Sequence, residues 1–77
     1  MSKNLKDFAA MAASEATGAG AFWGPLSSDH EGYGVLMEEV EELWAEIKNK
    51  TPNRKNIRAE AIQVAAVALR IAMECGE

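Results

Sequence analysis

The chain has 77 residues, of which 48% are hydrophobic, and carries a formal net charge of −4 at pH 7. This length predicts one domain covering residues 1–77, and the hydrophobic content is too high for a disordered chain. The acidic balance argues against general nucleic-acid binding, which requires a basic face. The single cysteine, Cys75, excludes an intramolecular disulfide and a zinc site built on cysteines.

The sequence also bears on the membrane and the cellular compartment. Residues 1–7 lack the continuous apolar core of a signal peptide. The apolar stretch 64–73 is interrupted by Arg70 and is too short to span a bilayer. We therefore expect a cytoplasmic protein that does not bind a membrane.

The first predicted element is a helix over about residues 3–16. Leu5, Phe8, Ala12 and Ala16 recur at helical spacing. These residues form one apolar side of a short N-terminal helix, which we expect to pack against the rest of the chain.

A connection without regular structure is predicted next. The glycines within residues 17–20 are expected to end the first helix, and Pro25 lies in the connection 21–29. Two large aromatic residues, Phe22 and Trp23, fall in this connection. Either they cap the end of the hydrophobic core, or they line a pocket in which an aromatic ring stacks on a flat ligand such as a base.

The second predicted helix covers residues 29–50. Ser28 followed by Glu31 fits a capping box, and Asp29 is an alternative N-cap. The helix has one apolar stripe, which consists of Leu36, Met37, Val40, Leu43, Trp44 and Ile47. Glu39 lies at the border of this stripe, about 100° from its centre, while the other glutamates fall on the remaining faces.

The third predicted helix follows the turn at residues 51–53, covers about 53–75 and is stopped by Gly76. It is apolar on two sides, so it must be covered on two sides, which predicts packing against another subunit. The expected fold is all-α, with the short N-terminal helix and a long antiparallel hairpin completing a helical bundle by oligomerisation. One apolar face comprises Ile57, Ala61, Val64, Ala68 and Ala72, the other comprises Ile62, Ala66, Leu69 and Met73, and the polar strip comprises Glu60, Gln63 and Arg70.

Paired carboxylates on the second and third helices indicate a candidate cation site. Glu39 and Glu42 are three residues apart, as are Glu60 and Gln63, so each pair projects to one side of its helix. Glu42 lies nine residues before Thr51 and Glu60 nine residues after it. Antiparallel packing therefore predicts Glu42 near Glu60, with Glu39 near Gln63. Oxygen ligands of this kind suit Mg²⁺, although a solvated acidic helix face is the alternative.

Two further features have a functional and a structural interpretation. His30 is either a hydrogen-bonding residue at the start of a helix or a ligand or base. The basic cluster around the turn at residues 51–53 either meets a phosphate or forms the solvated end of a helix. That cluster comprises Lys48, Lys50, Arg54, Lys55 and Arg58.

Two segments resemble the motifs of the MazG-like, all-α nucleoside triphosphate pyrophosphohydrolases. Residues 30–44, HEGYGVLMEEVEELW, resemble the first motif, and residues 60–70, EAIQVAAVALR, resemble the second. The resemblance covers about residues 23–74 and is greatest to the small members found in phages and prophages. The family pattern is E-E-x-x-E, a spacer and then E-x-x-D. The matching residues are Glu38, Glu39 and Glu42 in the first half and Glu60 in the second, with Gln63 at the aspartate position.

The resemblance implies a helical bundle completed by dimer or tetramer formation. It also implies Mg²⁺ bound by Glu39, Glu42 and Glu60, with Gln63 at the remaining ligand position. The implied reaction cleaves an NTP or dNTP between its α- and β-phosphates, giving the monophosphate and pyrophosphate. Glu38 would orient water or act as the catalytic base. Because an amide is a weaker ligand than a carboxylate, binding is more strongly implied than turnover.

The resemblance also suggests how the nucleotide would be held. Trp23 would stack on the base, His30 lies within the first motif, and basic side chains would neutralise the distal phosphates. The proposed phosphate-binding residues are Lys48, Lys50, Arg54 and Lys55.

Two other functions remain open. One is a non-catalytic oligomer of phage origin that binds or sequesters a nucleotide, and the other is a helical module that binds another protein.

Overall fold

A computed structural model describes residues 3–75 and contains three helices and no strand within that range. They are α1 (Leu5–Trp23), α2 (Asp29–Ile47) and α3 (Arg54–Glu74). The prediction of an all-α fold with three helices is therefore confirmed.

The start of α1 is fixed by a capping box. The Asn4 side chain accepts a hydrogen bond from the backbone N–H of Asp7 at 3.1 Å, and the Asp7 carboxylate accepts one from the Asn4 N–H at 3.0 Å. The prediction that this helix ends near Ala16 is wrong. Glycine costs a helix only about 1 kcal/mol relative to alanine, so Gly18 and Gly20 weaken α1 without ending it.

Gly24 is the residue that ends α1. Its φ of 79° is in the region that favours glycine, its N–H donates to the Gly20 carbonyl at 3.0 Å, and Pro25 follows. Phe22 and Trp23 are thus the last two residues of the helix rather than part of a connection. Each is 77% exposed, so neither caps the core of this chain.

The start of α2 is close to the prediction and its end is earlier. The Ser28 side chain accepts from the Glu31 N–H at 3.1 Å, as expected of the N-cap. The Glu31 carboxylate accepts from the N–H and hydroxyl of Ser27, at 3.0 and 2.7 Å, one residue earlier than a capping box requires. The helix ends at Ile47, not at residue 50.

A side-chain hydrogen bond accounts for this earlier end. Asn49 Oδ1 accepts from the Thr51 N–H at 3.0 Å, which favours a turn over continued helix. Asn53 then caps α3 by accepting from the Asn56 N–H at 3.1 Å. Gly76, the predicted stop of α3, lies outside the described residues.

Within residues 3–75, α3 packs against both other helices, while α1 and α2 do not contact each other. α3 runs parallel to α1, because Arg58 lies 5.4 Å from the Phe8 ring near both N-termini and Arg70 bonds Gly24 at the end of α1. It runs antiparallel to α2, as the short turn requires. The core is small and consists of Ala12, Ala16, Ala66 and Val67.

Arg70 fastens the connection between α1 and α2 to the end of α3. Its side chain is only 7% exposed, and it donates to the Gly24 carbonyl at 2.8 Å and to the Glu74 carboxylate at 3.1 Å. Glu74 also accepts from the Leu26 N–H at 2.7 Å. This N–H and the Arg70 guanidinium hold the pKa of Glu74 below its ordinary value. The sequence pattern predicts that Arg70 lies on a polar strip of α3 but does not indicate these partners.

We expect Arg70→Met to destabilise the fold by about 2 kcal/mol, because it removes the Arg70 donor from the Gly24 carbonyl and leaves the Glu74 carboxylate with the Leu26 N–H alone. The melting temperature should fall by roughly 10 °C, measured by circular dichroism. Arg54→Met, which removes an exposed arginine from the same helix, is the control. Equal melting temperatures for the two variants would contradict a stabilising role for these bonds.

Candidate metal centre

Three carboxylates converge where α2 and α3 face each other. One oxygen from each of Glu39, Glu42 and Glu60 lies within 4.8 Å of the other two. Glu39 and Glu42 stand on successive turns of α2, and the antiparallel register about Thr51 brings Glu60 of α3 to the same level. Three oxygen ligands at this separation can surround one divalent cation.

Two of these carboxylates are half-buried and incompletely hydrogen-bonded. Among the described residues, no hydrogen-bond donor reaches the buried Oε2 atoms of Glu39 and Glu60. Buried carboxylate oxygens without a partner are unfavourable. A hard cation coordinated by them would remove that cost, so the donor set fits Mg²⁺.

The pKa values of two members of the cluster reflect the same crowding. Burial raises the pKa of Glu39, and the nearby charges of Glu42 and Glu60 raise it further. Burial also raises the pKa of Glu60, followed by the effect of Glu42. Each shift means that the carboxylates resist ionisation, mainly because burial disfavours the charged form and further because the neighbouring charges repel each other, and a bound cation would relieve both effects.

Glu46 extends the negative region formed by the three carboxylates. The sequence prediction did not include Glu46 in this region. Its charge contributes to the raised pKa of Glu60, and its Oε1 accepts from Asn56 Nδ2 at 3.4 Å. Glu46 lies seven residues after Glu39, so it returns to nearly the same face of α2. The sequence prediction placed Glu46 among the solvated glutamates, but its seven-residue spacing from Glu39 was a usable signal of a shared face.

The other two motif residues occupy different surroundings. Glu38 is exposed beside the cluster, and its charge adds to the raised pKa of Glu39. Gln63 is half-buried and lines a cleft of about 300 Å³ together with Met11 and Glu15 of α1. Gln63 therefore borders α1 at this cleft, in addition to being one turn along α3 from Glu60.

The candidate phosphate-binding residues lie at the turn end of the site. Lys48 and Lys50 are exposed between α2 and α3, and Arg54 and Lys55 are exposed in the first turn of α3. Lys55 precedes Glu60 by five residues, which is about 8 Å along a helix axis. These exposed basic side chains therefore lie near the turn, at one end of the carboxylate cluster.

The proposed base-binding residues lie toward the opposite end of α3. Trp23 adjoins Gly24, which bonds Arg70, and Arg70 is ten residues, or about 15 Å, beyond Glu60. His30 is exposed in the first turn of α2, at this same end. The levels of Lys55 and Arg70 are fifteen residues apart, so a ligand that met both ends of the site would need to extend over about 23 Å.

Comparison with protein-family models, with curated proteins and with solved structures finds no match for this chain. The MazG-like resemblance therefore depends on the motif residues themselves and stays a prediction. No helix in the range 3–75 has the length and apolarity that crossing a membrane requires.

Proposed function

We propose that this chain is a Mg²⁺-dependent nucleoside triphosphate pyrophosphohydrolase of the MazG-like type, acting on an NTP or dNTP. The observation that carries the proposal is the convergence of Glu39, Glu42 and Glu60, whose ligand oxygens lie within 4.8 Å of one another. The spacing of these residues in the two motifs supports the same reaction.

The chemistry of the cluster supports a cation that also binds phosphates. Glu39, Glu42 and Glu60 offer only oxygen ligands, which Mg²⁺ prefers, and three protein ligands leave positions for phosphate oxygens and water. When bound at such a site, Mg²⁺ neutralises charge on the phosphates and lowers the pKa of a coordinated water.

The surrounding residues have separable roles in the proposed reaction. Water attacks one of the two phosphorus atoms that share the oxygen bridging the α- and β-phosphates, the bond from that phosphorus to the bridging oxygen breaks, and the products are the monophosphate and pyrophosphate. Glu38, which is exposed next to the cluster, accepts the proton of the attacking water. Lys48, Lys50, Arg54 and Lys55 neutralise the distal phosphates.

The net charge of −4 makes those basic residues necessary in this proposal. A nucleoside triphosphate is an anion and would be repelled by an acidic protein unless cations lie where the phosphates bind. We further propose that the protein acts in the cytoplasm, in the host cytoplasm if it is phage-encoded, and as a homo-oligomer.

One observation favours a second function, nucleotide binding without turnover. Gln63 stands where the family motif has an aspartate, and it also borders a cleft with Met11 and Glu15 of α1. A neutral amide in place of a carboxylate weakens coordination of a cation. In this second function, the remaining three carboxylates hold a cation and a nucleotide, which the oligomer sequesters.

The test is incubation of the purified protein with a panel of NTPs and dNTPs and Mg²⁺. We expect equimolar monophosphate and pyrophosphate, separated from diphosphate and phosphate by ion-exchange chromatography. An absence of products together with a nucleotide-dependent rise in melting temperature would favour the binding function. An absence of both effects would contradict both functions.

A further inference from the structure

The basic residues of this chain collect at one end of the fold. Seven of its eight lysines and arginines lie in residues 3–6 and 48–58, and all seven are exposed. The two segments meet because α1 and α3 start at the same end, where the Arg58 guanidinium lies 5.4 Å from the centre of the Phe8 ring. The turn after Ile47 leads directly into α3, so the lysines of that turn lie at this end too. We call this surface the basic end, and it comprises Lys3, Lys6, Lys48, Lys50, Arg54, Lys55 and Arg58.

The charge of the basic end is hidden in the composition of the whole chain. Residues 3–8 and 46–58 carry seven basic and two acidic side chains, a net charge of +5, and the whole chain carries −4, so the rest carries −9. The two acids, Asp7 and Glu46, already accept hydrogen bonds from their own neighbours. Among the described residues, no carboxylate oxygen lies within 4.0 Å of a nitrogen of the seven basic side chains. The overall acidity of the chain therefore leaves one end free to attract a polyanion.

An exposed aromatic ring lies next to these cations. Trp44, in the last turn of α2, is 55% exposed, and Lys48 Nζ lies 6.0 Å from the centre of its ring. Proteins hold single-stranded nucleic acid with this combination, because bases stack on the ring while cations follow the phosphates. The cations come from the ends of three helices, whereas an amphipathic helix that lies on an anionic membrane carries them along one face. The arrangement therefore favours a nucleic-acid strand over a lipid surface.

We propose that the basic end binds single-stranded nucleic acid, with Trp44 stacking on a base and the cations contacting the phosphates. Trp44, Lys3, Lys6 and Arg58 have no part in the proposed pyrophosphohydrolase reaction, so this binding is a separate property of the chain. It requires no Mg²⁺, and the negative charge of the carboxylate cluster repels the strand and confines it to the basic end. Three to seven phosphate contacts predict that log K falls against log salt concentration with a slope of about −2 to −5.

The test is binding of a fluorescein-labelled oligothymidylate, measured by fluorescence anisotropy in chelator at several salt concentrations. We expect binding at low salt with a slope in the predicted range. Lys3→Gln with Lys6→Gln should weaken binding about 25-fold at about 0.1 M salt, because each lost phosphate contact costs about 5-fold there. Trp44→Leu, which retains an apolar side chain but removes the flat ring, should weaken binding at least about 5-fold.

The matched control is Thr17→Glu with Ala21→Glu, which changes the net charge by the same −2 at exposed positions of α1. Thr17 lies eleven residues after Lys6, about 17 Å along the helix, so screening should keep the affinity within about twofold of the unaltered chain. Circular dichroism establishes that all variants remain helical.

Several results would overturn the proposal. Equal losses in the control and in Lys3→Gln with Lys6→Gln would mean that overall charge, rather than the basic end, governs binding. No binding at low salt, or no loss in either the lysine variant or Trp44→Leu, would exclude a strand at this surface. Binding to vesicles that contain anionic lipid, without binding to the oligonucleotide, would assign the basic end to a membrane. Because chelator is present throughout, each result is independent of pyrophosphate release.

Discussion

Replacing Glu39 with glutamine should reduce Mg²⁺-dependent pyrophosphate release by at least about 100-fold in kcat/KM. The reason is its position: Glu39 is half-buried in the cluster, and one of its oxygens has no hydrogen-bond partner among the described residues. Loss of a residue that only supports a metal ligand commonly costs 10- to 100-fold, so loss of a proposed direct ligand should cost at least the upper value.

Glu41→Gln is the matched control for this measurement. Glu41 is exposed on α2 and is not among the three converging carboxylates. Its replacement by glutamine removes the same charge from the same helix as Glu39→Gln does. Its kcat/KM should remain within about twofold of the unaltered protein. Similar losses in both variants would mean that the overall negative charge of α2, rather than the cluster, governs turnover, and the proposed site would be wrong.

Glu38→Gln distinguishes the proposed base from the proposed ligands within the same set of assays. Because Glu38 is exposed beside the cluster, its replacement should lower kcat while the Mg²⁺ concentration that gives half-maximal rate stays constant. Glu39→Gln should instead shift that concentration upward. A shift in Mg²⁺ dependence for Glu38→Gln would move Glu38 from the base to the ligand set.

Local signals in the sequence were sufficient for the parts of the fold that depend on neighbouring residues. Ser28 was recognisable as a helix cap because its partner lies three residues away. The convergence of Glu42 and Glu60 could be expected because a short turn leaves two helices little choice but to run antiparallel. Spacing counted from that turn then gives the register directly.

The parts that the sequence did not provide depend on distant residues or on small differences in energy. Arg70 bonds Gly24, which is 46 residues earlier, and no periodicity reports such a pair. The continuation of α1 through Gly18 and Gly20 depends on a cost of about 1 kcal/mol per glycine, which packing of the preceding turns against α3 can offset. The cleft at Gln63 arises from the parallel packing of α1, which the sequence did not predict.

Because of the carboxylate cluster, we expect bound Mg²⁺ to raise the stability of the fold and a rise in pH above 4.5 without a cation to lower it. Glu39 and Glu60 have pKa values above their ordinary value of 4.5, so the folded chain holds protons that the unfolded chain has released. Without a cation, these residues therefore lower stability as the pH rises from 4.5 through the raised pKa values. Glu31 and Glu74, whose pKa values are lowered, act in the window below 4.5, where they lower stability as the pH falls.

Glu60→Gln should consequently change stability with a sign that depends on Mg²⁺. In chelator near neutral pH, removing one of three crowded charges should raise the melting temperature by roughly 2–4 °C. With Mg²⁺ at 100 times its dissociation constant, the unaltered protein should gain about 2.7 kcal/mol, or roughly 10–20 °C, and the variant should lose most of this gain.

The measurement is thermal unfolding of both proteins in chelator and in Mg²⁺, at acidic and neutral pH, with Glu41→Gln as the control that retains the cluster. Because carboxylates must be deprotonated to bind a cation, the stabilisation by Mg²⁺ should shrink at acidic pH in the unaltered protein. Equal Mg²⁺ effects in the unaltered protein and Glu60→Gln would contradict a cation site at these three residues. Since no nucleotide is needed, this measurement separates cation binding from turnover. A chain that is stabilised by Mg²⁺ but releases no pyrophosphate would be a binding protein.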